Sequence, residues 1–190
     1  MNYLYLLFAV AHLAIGGLIV QAAAKQKSLG LWLLALVSVG LAYDNAILGI
    51  GELMGAGDTL LQLNIVRFAL HAFATPLMMM AGLTLARNAS VNWTWRRSMS
   101  ILVYTTTLSC IAYGVNEYLT GAEFKIADSG VMRYVLAESN GPPLAAITTM
   151  TFLIAFGIAL YIQERSWWLL AGALAMFACS AAWYRRRAMI

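Results

Sequence analysis

Charged residues are scarce in this sequence. They make up 11% of its 190 residues, against about 25% in an average soluble domain. A chain that is 62% hydrophobic, with a mean hydropathy of +0.76, has too few polar residues to cover a water-facing surface. This composition excludes a soluble enzyme and gives no basic surface for nucleic acid. The formal charge of +4 is instead expected to set the orientation of the chain at a lipid surface.

Histidine and cysteine are also rare, with two of each in the chain. Zinc usually takes three or four ligands from His, Cys or carboxylates, so we expect no His-rich metal site and no bound metal. Two histidines, His12 and His71, do not provide the paired axial ligands of a transmembrane haem. No lysine lies in a predicted helix, which excludes a retinal Schiff base, and we expect no cofactor. Cys110 and Cys179 fall in apolar runs and are interpreted as buried free thiols.

Long apolar runs predict an all-α, polytopic membrane helix bundle that forms one domain over residues 1–190. A run of 18 or more apolar residues predicts a spanning helix. Six helices are predicted, over residues 3–24, 30–53, 60–86, 98–119, 131–162 and 167–184. The fifth is too long for one span and contains a Pro-Pro pair at 142–143, which predicts a short helix from Val131, a break and then the span. The first run is interpreted as a retained helix and not as a signal peptide.

The positions of lysine and arginine predict the orientation of the bundle. Positive charge concentrates in cytoplasmic loops, and most basic loop residues lie in the first, third and fifth connections. This places the N-terminus outside, in what we expect to be a bacterial inner membrane. The three arginines at 185–187 disagree, because six helices put the C-terminal tail outside as well. The basic residues of the odd-numbered connections are Lys25, Lys27, Arg87, Arg96, Arg97 and Arg165.

Helices two and three resemble helices four and five, which predicts an internal repeat with units at about residues 30–87 and 98–163. Residues 42–52 match residues 112–123 when one residue is inserted. Residues 67–70 (Arg-Phe-Ala-Leu) match residues 133–136 (Arg-Tyr-Val-Leu), and a Pro-Leu pair follows each. The repeat predicts that Arg133 lies at membrane depth, as Arg67 does. It also allows one ion pair in each half, Glu52 with Arg67 and Glu123 with Arg133, to join adjacent helices.

Polar residues within or beside the predicted helices form a candidate site. An ionisable group inside hydrocarbon costs about 2.5 kcal/mol or more, and it persists when it is paired or functional. Asp44 and His71 are the catalytic candidates, because the second repeat unit has neither an acid nor a histidine at the matching positions. Eight further residues are candidates for substrate binding: Arg67, Asn45, Glu52, Asn64, Asn116, Glu117, Arg133 and Glu138.

Helical spacing predicts that these side chains converge in one half of the membrane. Asn64, Arg67 and His71 share one face of helix three. At about 1.5 Å per residue, Arg67 and His71 lie roughly 10 and 16 Å below the outer end of that helix. With the predicted orientation, the site opens to the outer leaflet only.

Histidine near a carboxylate is a general acid or base, and arginine binds phosphate or carboxylate groups. The constellation therefore predicts an enzyme that acts on a lipid or isoprenoid amphiphile, with membrane lipids and a lipid-like substrate as its partners and no nucleic acid. Two other classes stay open. A non-catalytic subunit or assembly factor of a larger membrane complex needs only the internal ion pairs. A small proton-coupled transporter fits an internal repeat, although the apolar inner half counts against it.

Overall fold

The computed structural model describes residues 2–119, 124–127, 131–136 and 144–188. Within these ranges the chain forms six α-helices and one two-stranded antiparallel hairpin. A short 3-10 turn, Asn92–Trp95, precedes the fourth helix. The elements in chain order are α1 (Tyr3–Gln26), α2 (Leu29–Met54), α3 (Asp58–Asn88), α4 (Arg97–Leu119), β1 (Phe124–Ala127), β2 (Arg133–Leu136), α5 (Leu144–Glu164) and α6 (Trp168–Ala188).

Five of the six helices, α1 to α5, are long and apolar enough to cross a membrane. This agrees with a multi-pass membrane protein. The side chains of α6 are described only as far as Cys179, and the apolar segment Trp168–Cys179 is shorter than the other five. A sixth span is therefore not confirmed.

The segment before α5 differs from its predicted form. The short helix predicted from Val131 is wrong, because residues 133–136 form β2, whereas the span predicted after the Pro-Pro pair begins at Leu144. β2 pairs with β1 in a register that places Phe124 opposite Leu136 and Ala127 opposite Arg133. Tyrosine and valine within β2 favour a strand, and a short apolar run has no period that distinguishes a strand from a helix. The Pro-Pro pair at 142–143 lies outside the described residues.

The predicted internal repeat is not confirmed. Residues 67–70 are helical within α3, whereas the matching residues 133–136 form β2. The two stretches therefore share a sequence pattern and differ in secondary structure.

The central helix of the bundle is α3, which contacts α2, α4, α5 and β2. The outermost helix on one side is α1, which packs along α2 through small side chains spaced seven residues apart, Ala9, Gly16 and Ala23. Small residues let two membrane helices approach closely, and here the Ser38 hydroxyl donates to the His12 carbonyl oxygen at 2.7 Å. The His12 ring nitrogen Nδ1 lies 2.7 Å from a carbonyl of its own helix, which agrees with a structural role for this histidine.

An apolar core fills the half of the bundle opposite the hairpin. Met79 and Leu83 of α3 pack with Phe156 of α5, and all three are almost completely buried. Trp93 stacks on Phe156 with ring centroids 5.9 Å apart. The last turn of α3 is fixed to the following connection by Arg87, which donates to the Thr94 carbonyl at 2.9 Å. This packing leaves the polar cluster in the half of the bundle that carries the hairpin.

The two cysteines differ from their interpretation as buried thiols. Both are free, but Cys110 is only partly buried and Cys179 is exposed. The sequence placed them in apolar runs correctly; the exposure arises because α4 and α6 are peripheral helices with much of their surface outside the bundle.

Candidate functional site

The helices α2 and α3 bring together Asp44, Arg67 and His71. Arg67 and His71 are four residues apart on α3 and therefore project from the same helix face. Asp44 projects from α2 towards that face. Its Oδ1 atom lies 3.4 Å from Arg67 Nε and 3.2 Å from His71 Nε2. A single carboxylate oxygen thus contacts both a guanidinium group and an imidazole.

The cluster is closed at one end and open at the other. The exposed fraction of the side chain is 7% for Arg67, 18% for Asp44 and 47% for His71. Because Nε2 of His71 faces Asp44, the other ring nitrogen, Nδ1, is the one available to a second molecule. The imidazole is thus held from the protein side and presented at the surface of the bundle.

Arg67 connects three elements of the fold. Besides facing Asp44 of α2, its guanidinium donates through Nη2 to the Tyr134 carbonyl oxygen of β2 at 3.3 Å. The same guanidinium stacks over the Phe68 ring at 4.9 Å from the centroid, a cation–π arrangement. A buried charge needs partners on several sides, and Arg67 obtains them from α2, from its own helix α3 and from β2.

One edge of β2 is turned towards the two helices. The carbonyl oxygens of Met132 and Tyr134, two residues apart, both meet helix residues: Met132 reaches Gly51 of α2, and Tyr134 reaches Arg67 of α3. Gly51 permits this approach because a Cβ atom at that position would collide with the Met132 carbonyl oxygen. Gly51 lies seven residues after Asp44, which places it two turns away on the same face of α2.

We therefore predict that Gly51→Ala displaces β2 from the bundle. The clash should lower the free energy of unfolding by about 1–3 kcal/mol, as overpacking does. Gly17→Ala is the matched control, because a Cβ at Gly17 meets no atom within 4 Å, and better helix propensity should raise its stability by up to about 1 kcal/mol. Denaturant titration in detergent measures both changes, and hydrogen exchange at residues 133–136 should rise only in Gly51→Ala. Equal stabilisation by the two substitutions would contradict this docking.

Within the described part of the chain, three buried polar atoms near the cluster make no hydrogen bond. They are Oδ1 of Asn64, Nε of Arg67 and Nε of Arg133. Asn64 is completely buried one turn before Arg67, and its Nδ2 donates to the Leu60 carbonyl at 2.8 Å. Arg133 lies within electrostatic range of Arg67. An unsatisfied buried polar group costs about 1–3 kcal/mol, so water or a bound polar group at these atoms would stabilise the protein.

The other predicted site residues are Asn45, Glu52, Asn116, Glu117 and Glu138. Asn45 donates to the Leu41 carbonyl of its own helix at 2.8 Å. Glu52 is exposed near the end of α2, and the acidic side chain that the structure shows beside Arg67 is Asp44. Asn116 is exposed on α4. The side chains of Glu117, Glu123 and Glu138 lie outside the described part of the chain.

Several contacts around the site could not be predicted from the sequence pattern. The Tyr134 contact to Arg67 is made by a main-chain carbonyl, which any residue carries. The Tyr43 hydroxyl donates to the Leu63 carbonyl at 3.0 Å and joins α2 to α3 beside the cluster. Tyr43 directly precedes Asp44, so the sequence shows a hydrogen-bonding side chain next to the acid. It does not predict that the partner of this side chain is the Leu63 carbonyl. In the sequence, Gly51 is one of several glycines in an apolar helix, and no pattern distinguishes it from the others.

No family model, curated protein or solved structure matches this chain. Among the described residues, no group of three or more His, Cys, Asp or Glu side chains is arranged to hold a metal ion.

Proposed function

We propose that the chain is an integral membrane enzyme that acts on a lipid or isoprenoid amphiphile by acid/base chemistry at Asp44 and His71. The observation that supports this is the 3.2 Å approach of Asp44 Oδ1 to Nε2 of a half-exposed histidine. A carboxylate fixes the orientation and the tautomer of an imidazole. In this role His71 moves a proton through its exposed nitrogen, and Asp44 stabilises the charged imidazole.

Arginine side chains supply the binding part of the proposal. The Arg67 guanidinium faces Asp44 through Nε and donates to the Tyr134 carbonyl oxygen through Nη2. A guanidinium has five N–H donors in all. Its remaining donors, together with Arg133, suit a phosphate or carboxylate head group. The unpartnered Oδ1 of Asn64 would accept a hydrogen bond from a hydroxyl on the same head group. Asn45, Glu52, Asn116, Glu117 and Glu138 stay predictions as further binding residues.

The depth of the cluster favours an amphiphile over a water-soluble substrate. Arg67 is nine residues from the start of α3, which corresponds to about 13 Å along the helix axis. A head group at this depth leaves its hydrocarbon tail in the lipid. If the positive-inside pattern sets the orientation, the hairpin and the site face the outer leaflet, and this is part of the proposal.

The proposal is tested by purifying the protein in detergent, identifying co-purified lipids by mass spectrometry and incubating it with a panel of amphiphiles. The panel should contain phospholipids, prenyl phosphates and prenyl alcohols. We expect one class to be converted by the wild-type chain and not by Asp44→Asn, with Asp58→Asn as the exposed-carboxylate control. Conversion of no panel member, together with a stoichiometric protein partner that Asp44→Asn still binds, would overturn it.

A non-catalytic membrane subunit is the second candidate, and the position of Arg67 favours it specifically. Arg67 joins α2, α3 and β2 through Asp44 and the Tyr134 carbonyl, which is what a purely structural ion pair would do. The exposure of His71 distinguishes the two candidates, because a structural tie does not need it. A proton-coupled transporter is less well supported, since the apolar core around Met79, Leu83 and Phe156 occupies the opposite half of the bundle.

A further inference from the structure

A groove of about 380 Å³ lies between α4 and α5. This volume is within the range of small-molecule binding sites, about 300–1,000 Å³. None of its lining residues belongs to the cluster of Asp44, Arg67 and His71. The residues that line it are Thr105, Thr106, Ser109, Cys110 and Tyr113 of α4 and Leu144, Ala145 and Thr148 of α5.

The hydroxyl groups in this groove differ from those elsewhere in the bundle. Threonine in a membrane helix usually donates to the carbonyl four residues earlier. Thr84, Thr149 and Thr151 do so at 2.8–2.9 Å, as does Thr105 at the rim of the groove at 2.7 Å. In contrast, the side chains of three groove residues make no hydrogen bond within the part of the chain that the structure describes, which leaves their hydroxyl donors available to a ligand. The three are Thr106, Ser109 and Thr148.

The lining also defines the charge of the ligand. The groove has hydroxyl donors and apolar walls, and no charged side chain is among its lining residues. Burying an ionised group against such a surface is costly because no counter-charge compensates the lost hydration. Leu144 and Tyr113 are 52% and 43% exposed, so the groove is open to molecules that approach from the lipid side.

We propose that this groove binds an uncharged amphiphile, whose oxygen accepts hydrogen bonds from Thr106, Ser109 and Thr148 while its hydrocarbon packs on Leu144 and Ala145. This site is separate from the proposed acid/base centre and does not depend on it. It resembles neither a structural helix contact nor a water cavity. A structural contact would bring α4 and α5 together, and a cavity for one water has only about 30 Å³.

Cys110 provides the test, because it lines the groove and the only other cysteine, Cys179, is exposed on α6. The rate of N-ethylmaleimide alkylation of each thiol is measured by peptide mass spectrometry in the detergent-solubilised wild-type chain. Farnesol and a short-chain diacylglycerol serve as uncharged probes, and farnesyl phosphate serves as the charged one. We expect an uncharged probe to slow alkylation of Cys110 at least about fivefold, with Cys179 unaffected and farnesyl phosphate much weaker.

Variants on α5 test the hydrogen bonds. Thr148→Val keeps the side-chain shape and removes the hydroxyl, so it should weaken protection of Cys110. The matched control is Thr151→Val, because the Thr151 hydroxyl donates to the Ile147 carbonyl of its own helix. Any of three results would overturn the proposal: no protection of Cys110 by either uncharged probe, equal slowing at Cys179, or full protection in Thr148→Val.

Discussion

His71→Ala is expected to reduce turnover of the amphiphile by about 10²–10⁴-fold, the usual contribution of a positioned general acid or base. The imidazole is the only group of the cluster that is both half-exposed and fixed by a carboxylate. Its removal deletes the atom that we propose transfers the proton and leaves Asp44 and Arg67 paired. Because the side chain is 47% exposed, little packing is lost and the unfolding midpoint should remain close to that of the wild type.

His12→Ala is the matched control for this prediction. The His12 ring bonds to the Phe8 carbonyl of its own helix, away from the cluster. It should retain wild-type turnover when product formation is measured by mass spectrometry under the same conditions. Wild-type turnover in a folded His71→Ala protein would remove His71 from the mechanism, and an equal loss in both variants would point to a general effect of removing histidine.

Asp44→Ala is expected to lower the free energy of unfolding by about 3–5 kcal/mol, the usual effect of removing one partner of a buried ion pair. The guanidinium of Arg67 would keep its positive charge within a site that leaves the residue only 5% exposed. Its remaining contacts, the Tyr134 carbonyl and the Phe68 ring, do not neutralise that charge. Denaturant titration in a fixed detergent measures the loss.

The matched comparison is Asp58→Ala, which removes an exposed acid from the first turn of α3. Its favourable interaction with the helix dipole is worth about 0.3–1 kcal/mol, so its effect should be several times smaller. A second variant separates charge from packing. Combining Asp44→Ala with Arg67→Met removes the uncompensated charge and should recover part of the lost stability. Equal losses at positions 44 and 58, or no recovery in the double variant, would show that the ion pair does not determine stability here.

Much of the helical architecture follows from hydropathy alone. A helix in lipid must satisfy its backbone hydrogen bonds internally and expose apolar side chains. The helices α1 to α4 can therefore be predicted from apolar runs. Their ends lie within two residues of the predicted ones. The strand β2 was not readable, because its pairing with β1 depends on a partner segment and not on a local pattern. The short helix predicted from Val131 was wrong for the same reason, whereas the span predicted after the Pro-Pro pair begins at Leu144.

The candidate site was partly readable from helical spacing. Arg67 and His71 share a face because they are four residues apart, and an acid buried on the preceding helix is their natural partner. The sequence does not predict whether Asp44 or Glu52 is the partner of Arg67, since both lie on α2. The partner depends on the position of α2 along the axis of α3, which helical spacing does not determine. The contact from the Tyr134 carbonyl could not be inferred at all, because it follows from the three-dimensional position of a strand that was predicted as a helix.

The shared position of Arg67 makes two equilibria dependent on each other. Its guanidinium holds the Tyr134 carbonyl on one side and faces Asp44 on the other. An anion that drew Arg67 away from Tyr134 would loosen β2, and by thermodynamic linkage a loosened β2 would change the affinity for that anion by the same factor. In that case the strand would report occupancy of the polar cluster, although the two meet through a single side chain.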